Sequence, residues 1–284
     1  MTSKSRSSRK ALPYLLIGAA FVATVAYVLT VLPNAAGRSA QQSAESPATP
    51  SSAIPHSDGL SDSFEGYRMV PVSLPEKRGK AVPFSFRLHG PDGAPLTSLA
   101  IVQAKPMHLY LIRQDISGYQ HLHPTLEGDV WSTPIDLDDG GSYRFYAEFM
   151  PHGWRGAALG DPVILGLAFV IAGDTKLAPL PAPAASSVAG PYTMERADGT
   201  SHLFVNRGTL LRFRVPGATL EPYLDAIAHM SAFEVRTQGL IHLHAASNEL
   251  AFHAQFPNRG EYRLFIEFQA SGAVHQAAFT IFVT

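Results

Sequence analysis

Past about residue 62 the chain is written in short alternations of apolar and polar positions. Val82-Pro83-Phe84-Ser85-Phe86-Arg87-Leu88 alternates and then meets the turn residues His89-Gly90-Pro91-Asp92-Gly93. Tyr143-Arg144-Phe145-Tyr146-Ala147-Glu148-Phe149 follows Asp139-Gly140-Gly141, and Ala277 to Val283 closes the chain as an apolar run. Strand side chains alternate faces with a period of two, so these stretches predict half-buried strands joined by tight turns. Helical periodicity is nearly missing. The exception is Thr219 to Ala228, where Leu220, Leu224 and Ile227 fall at helical spacing and predict a short helix limited by Pro222. Many short strands at this spacing predict a mainly β protein built as antiparallel sandwiches.

The strand pattern occurs twice. Gly66-Tyr67-Arg68-Met69 is answered by Pro191-Tyr192-Thr193-Met194, and Phe86-Arg87-Leu88 by Phe213-Arg214-Val215. Gly141-Ser142-Tyr143-Arg144 with Glu148-Phe149 is answered by Gly260-Glu261-Tyr262-Arg263 with Glu267-Phe268. Order and approximate spacing are kept, which predicts two tandem immunoglobulin-like or cupredoxin-like sandwiches over 63–174 and 190–284. The Pro- and Ala-rich stretch between them, 175–189, predicts a semi-extended, exposed connector.

The N-terminal end follows a different pattern. Residues 1–10 carry Lys4, Arg6, Arg9 and Lys10 with no acid, and 11–32 are 22 residues without a charge. Such a run can span about 30 Å of hydrocarbon as a helix, and the preceding positive charge places the N-terminus in the cytoplasm and the bulk of the chain outside. A cleaved signal peptide is the competing reading. Its apolar core is usually shorter, about 7 to 15 residues, and the best cut, after Asn34-Ala35-Ala36, lacks a small residue at the −3 position. Residues 33–62 are Ser, Ala, Pro and Gln with almost no large apolar side chain, which predicts a disordered tether with His56 as a solvated residue in it.

Composition narrows the chemistry. The 284 residues include no cysteine, which removes disulfides, thiolate metal sites, blue-copper centres and cysteine nucleophiles together. The formal net charge of −1 offers no footprint for nucleic acid. Histidine, methionine and carboxylates remain as metal ligands.

Histidine is arranged identically in the two repeats. Met107-His108 is followed by His121-Leu122-His123, and His229-Met230 by His242-Leu243-His244; the first two histidines are separated by 13 positions in both copies. Residues i and i+2 of a strand share a face, so each His-Leu-His pair projects together and its leucine enters the core. Between His108 and His121 lie a strand-like start, a turn at Gln114 to Gly118 and a return, the pattern of a hairpin. A register placing 108 opposite 123 converges three imidazoles on one patch, while a shift by one destroys it. Three neutral imidazoles suit copper or zinc, with copper first in the affinity order. The candidate metal residues are therefore His108, His121 and His123 in one repeat and His229, His242 and His244 in the other. Met107 and Met230 neighbour a strand histidine and should face the opposite way. His152, His253 and His275 are candidates for a fourth ligand, though none has a counterpart in the other repeat, and His89 and His202 sit beside turns as plain surface residues. A histidine on a half-buried strand is more often a packed, hydrogen-bonded residue than a ligand, and that bland reading stands beside the metal one.

The stretches Met107-His-Leu-Tyr-Leu-Ile-Arg-Gln-Asp115 and Tyr119-Gln-His-Leu-His-Pro124, with Leu220-Glu-Pro-Tyr-Leu224 and Ala228-His-Met230, resemble a group of secreted or membrane-anchored actinobacterial proteins, mostly uncharacterised and sometimes labelled heavy-metal or copper-binding. The resemblance spans about 65–284 and implies an extracytoplasmic pair of sandwiches handling copper, with no assigned reaction. The second repeat departs from it, having His244-Ala245 where the first has His123-Pro124.

Enzymatic motifs are missing: there is no Gly-x-Ser-x-Gly elbow, Walker loop or His-Glu-x-x-His. Asp136, Asp138 and Asp139 read as a solvated turn, since further oxygen ligands for calcium do not follow. Two readings result. One is a membrane-anchored extracytoplasmic protein, not an enzyme, that buffers copper, or zinc, or delivers it to a membrane or envelope partner. The other is a metal-free adhesion or assembly module presenting two sandwiches to a protein partner.

Overall fold

The computed structural model describes residues 56–284 apart from 174, 242, 247 and 248, and describes 244 through its main chain. The predicted basic segment, membrane span and most of the tether lie outside these residues. Among the described residues no helix is long and apolar enough to cross a membrane.

Residues 54–284 form one compact unit containing two sandwich lobes. The first lobe comprises β1 (Ser63–Phe64), β2 (Tyr67–Ser73), β3 (Gly79–His89), β4 (Leu99–Ala100), β5 (Met107–Arg113), β6 (Gln120–Leu122), β7 (Thr125–Glu127), β8 (Val130–Leu137), β9 (Gly141–Pro151) and β10 (Val163–Ile171). The second comprises β11 (Ser186–Ala189), β12 (Tyr192–Arg196), β13 (Thr209–Arg214), β14 (Leu220–Glu221), β15 (Ala228–Glu234), β16 (Leu240–Ile241), β17 (His244–Ala245), β18 (Ala251–Ala254), β19 (Gly260–Ala270) and β20 (Ala273–Val283). The outer sheets run β1-β2-β3-β8-β7 and β11-β12-β13-β18-β17; the inner sheets run β10-β9-β5-β6 and β14-β19-β15-β16, with β4 and β20 each added to β9 and β19. Strand for strand, the second lobe repeats the first, as the internal repetition predicts.

The predicted alternation is visible in β3, where Phe84, Phe86 and Leu88 are buried and Ser85 and Arg87 face outward. The inner sheets behave differently, because all seven residues of β5 and all seven of β15 are buried. One face of β5 (Met107, Leu109, Leu111) joins its own lobe's core. The other, with Tyr110 and Ile112, enters a separate cluster with Tyr146, Phe233, Leu240 and Phe265. That cluster is the joint between lobes. Tyr119 stacks on Phe265 with ring centroids 4.1 Å apart, Tyr146 meets Phe233 edge-on, and the Tyr146 hydroxyl donates to the Gln238 carbonyl at 2.6 Å. The two inner sheets therefore pack against one another. Tandem repeats joined by a Pro-rich connector predicted no such contact.

Three expectations are corrected. The stretch 219–228 is not helical: β14 leads through a turn at Tyr223 to Ala226, with Leu224 at φ 49 and Asp225 at φ 60, into β15. Its apolar residues are partly buried between strands, and helical spacing over so few residues does not distinguish the two. The connector ends earlier than expected, because Ser186–Ala189 is strand β11, paired to β12. It is also held, Lys176 accepting from Arg113, Ala178 donating to Asp115 and Pro181 accepting from Thr280. The tether likewise does not extend to 62. Ile164 donates to Ser57 Oγ, Gly166 N–H to the Ser61 carbonyl and Leu240 N–H to the Asp58 carbonyl, so residues 57–61 contact both lobes. His56 is exposed but contacts Asp161 at 2.9 Å. The main-chain groups of β10 need partners, and this segment supplies them.

Candidate metal centre

The first-lobe register matches the expectation. Leu109 pairs with Leu122 and Tyr110 with His121, which continues to 108 opposite 123. In the second lobe Ala232 pairs with Ile241 and Phe233 with Leu240, continuing to 229 opposite 244. Leu122 and Leu243 turn into their cores, as do Met107 and Met230.

His108, His121 and His123 converge. One ring nitrogen of each lies within 4.8 Å of the other two, and ring centroids are separated by 5.2 Å (108 to 121), 5.1 Å (108 to 123) and 4.8 Å (121 to 123). Nitrogens about 2.0–2.1 Å from a tetrahedral ion place imidazole centroids about 5 Å apart. The trio has that spacing.

Hydrogen bonding orients two of the rings. His108 Nε2 donates to the Val102 carbonyl at 3.1 Å, and His121 Nδ1 donates to Glu267 Oε2 of the second lobe at 2.6 Å. The nitrogens left over, His108 Nδ1 and His121 Nε2, face each other at 2.9 Å. In neutral rings each carries a lone pair, so the contact is satisfied by one positive centre between them, a proton or a metal ion. His123 Nε2 is buried and has no hydrogen-bond partner. Burial, followed by the neighbouring His121, lowers His108 to about 4; burial, then His121 and His108, lowers His123 to about 3. Both are neutral at pH 7, the form that ligates metals.

The second lobe reaches the same place. His229 is buried on the interlobe face of β15, with ring centroids 6.2 Å from His108 and 6.1 Å from His121. Its Nε2 donates to the Tyr223 carbonyl at 2.9 Å, six residues upstream, just as His108 uses Val102. Both carbonyls begin equivalent tight turns whose central residues have positive φ, Gln103 and Ala104 in one, Leu224 and Asp225 in the other. His229 Nδ1 lies 3.2 Å from Gln103 Oε1 across the joint. The carboxylates repeat too, with Glu148 in register with His108 and Glu267 with His229. A cleft of about 670 Å³, lined in part by Lys105, His108, Glu148, Pro222 and Leu243, opens the region to solvent.

Of the six candidates, four rings therefore share one neighbourhood. His242 lies outside the described residues, and His244 is described only as main chain paired to His253 on β18. His253 is exposed and His275 donates to the Ala270 carbonyl. Asp136 and Asp138 pair with Lys80. Glu148, Glu267 and Gln103 were not assigned to the site from sequence. An acid inside the apolar strands Tyr146-Ala147-Glu148-Phe149 and Phe265-Ile266-Glu267-Phe268 is the signal that marks two of them.

With this geometry in place, the chain can be compared with known proteins. A family model described as a domain of unknown function (DUF8832) matches twice, over 63–158 and 187–284. The chain belongs to that family and carries two copies of its domain. No curated protein matches the sequence. Among solved structures, the Clostridium thermocellum CbhA fibronectin(III)-like modules are similar at 7% identity, with 76% of this chain and 94% of that one covered and a TM-score of 0.22. The tandem Ig repeats of Dlar are similar at 12% identity over 77% of this chain and 97% of that one, with a TM-score of 0.23.

Proposed function

We propose that this is a membrane-tethered extracytoplasmic protein that binds a transition-metal ion at the first-lobe triad, copper before zinc, and buffers it or passes it to a membrane partner. One observation carries the reading: His108 Nδ1 and His121 Nε2 face each other at 2.9 Å beside a buried His123 Nε2 without a partner. Buried polar atoms are nearly always paired, so the partnerless His123 Nε2, set among two more imidazoles, is a nitrogen that a bound cation would satisfy. Imidazole donors suit copper and zinc, and at equal geometry the affinity order places copper first. The Glu267 carboxylate behind His121 is the outer-shell partner that metal-bound histidines commonly have. The interlobe cleft supplies a route for exchange. The basic residues at 1–10 and the uncharged run 11–32 support the membrane tether. In this reading the protein binds and transfers and does no chemistry on a substrate.

The test is to equilibrate the purified full chain with Cu(II) or Zn(II), remove free ion and measure bound metal by mass spectrometry. The His108→Ala/His121→Ala/His123→Ala variant should retain much less than wild type. Equal retention removes the metal reading and leaves a pair of recognition domains.

A further inference from the structure

We propose that the ion is held across the joint, His229 of the second lobe completing the first-lobe triad, so that the chain carries one centre and not one per repeat. This rests on the metal reading above.

Three imidazoles leave a tetrahedral ion one open position. The next ring in the neighbourhood is His229, on the interlobe face of β15. Its Nε2 proton is committed to the Tyr223 carbonyl, which leaves Nδ1 as its lone-pair nitrogen. That nitrogen is directed at the first lobe, 3.2 Å from Gln103 Oε1. An acceptor facing a lone pair is not a bond, so the amide either turns its NH2 to Nδ1 or gives way to a cation there. Its centroid distances of 6.2 and 6.1 Å exceed those inside the triad by about 1 Å. Exchanging Gln103 for the ion and closing that gap brings His229 into coordination.

The anchoring of the triad points the same way. His121 is oriented by Glu267, and Glu267 is the cross-strand neighbour of His229. The second lobe therefore already supplies the outer shell of a first-lobe ligand. Packing makes this reproducible, because the joint is built from matched positions: Tyr110, Ile112, Tyr119 and Tyr146 on one side, and Ser231, Phe233, Leu240 and Phe265 on the other. A separate second-lobe centre at His229, His242 and His244 would require the ring that this geometry turns toward the first.

The full chain is titrated with Cu(II), reading stoichiometry by mass spectrometry and counting coordinated imidazoles by pulsed electron paramagnetic resonance. Wild type should bind one ion through four imidazoles. His229→Ala and the bulkier His229→Gln, which guards against loss of fold through a cavity, should each drop to three imidazoles and lose affinity at least about tenfold. Two ions per wild-type chain, or His229 variants that bind like wild type, overturn the shared centre and leave the triad reading intact. Undiminished binding by the triple triad variant overturns the triad reading itself.

Discussion

His121 of the first lobe donates its Nδ1 proton to Glu267 of the second at 2.6 Å, with the His121 side chain 1% exposed. This bond orients the ring and turns Nε2 toward His108 Nδ1, 2.9 Å away. Glu267→Gln keeps the shape but weakens the acceptor. Copper affinity, measured by competition with a chelator of known strength, should fall about 10- to 100-fold. Unchanged affinity would show that the carboxylate does not orient the ligand.

Acid should destabilise the metal-free protein through the buried imidazoles. His108 is lowered to about 4 and His123 to about 3, mainly by burial, whereas an unfolded histidine titrates near about 6.5. Between those values the unfolded chain binds protons that the folded chain refuses. The contribution is therefore complete above about pH 6.5 and is lost as pH falls through the folded values. Urea midpoints followed from pH 7 to pH 4 should decline, and the decline should be shallower in a His108→Gln/His123→Gln variant. Equal slopes would dispose of this account.

The joint between lobes should behave as a core. Phe233 is fully buried between the lobes and meets Tyr119, Tyr146 and Phe265. Phe233→Ala should cost about 3–5 kcal/mol in equilibrium denaturation, as deletion of a large core side chain does. A loss below about 1 kcal/mol, the range of surface changes, would mean that the lobes are not packed through this residue.

Gly166 tests the docking of residues 57–61. A Cβ built there would lie 1.7 Å from the Gly59 carbonyl oxygen, so Gly166→Ala has to displace that segment. Amide hydrogen exchange at 57–61 and at Leu240, which donates to Asp58, should accelerate while the strands of the second outer sheet stay protected. Unaltered exchange would show that the segment does not depend on this close approach.

Much of the architecture was legible along the chain because it depends on local periodicity. The alternation at 82–88, the hairpin between His108 and His121 and the spacing repeated in the second copy follow from side chains that change face at every residue. The short stretch 219–228 misled because three apolar residues fit a helix and a strand-turn-strand equally well.

The amino-acid order by itself determined that there are two sandwiches and that His121 and His123 share a strand face; the register that sets 108 level with 123 was fixed by the folded hairpin. Which lobe a given imidazole serves was decided only in three dimensions. β5 and β15 are buried on both faces, so half of their side chains contact residues more than a hundred positions away. No periodicity encodes a partner that distant. The packing of two inner sheets is what brought His229 and Glu267 to a site written in another repeat.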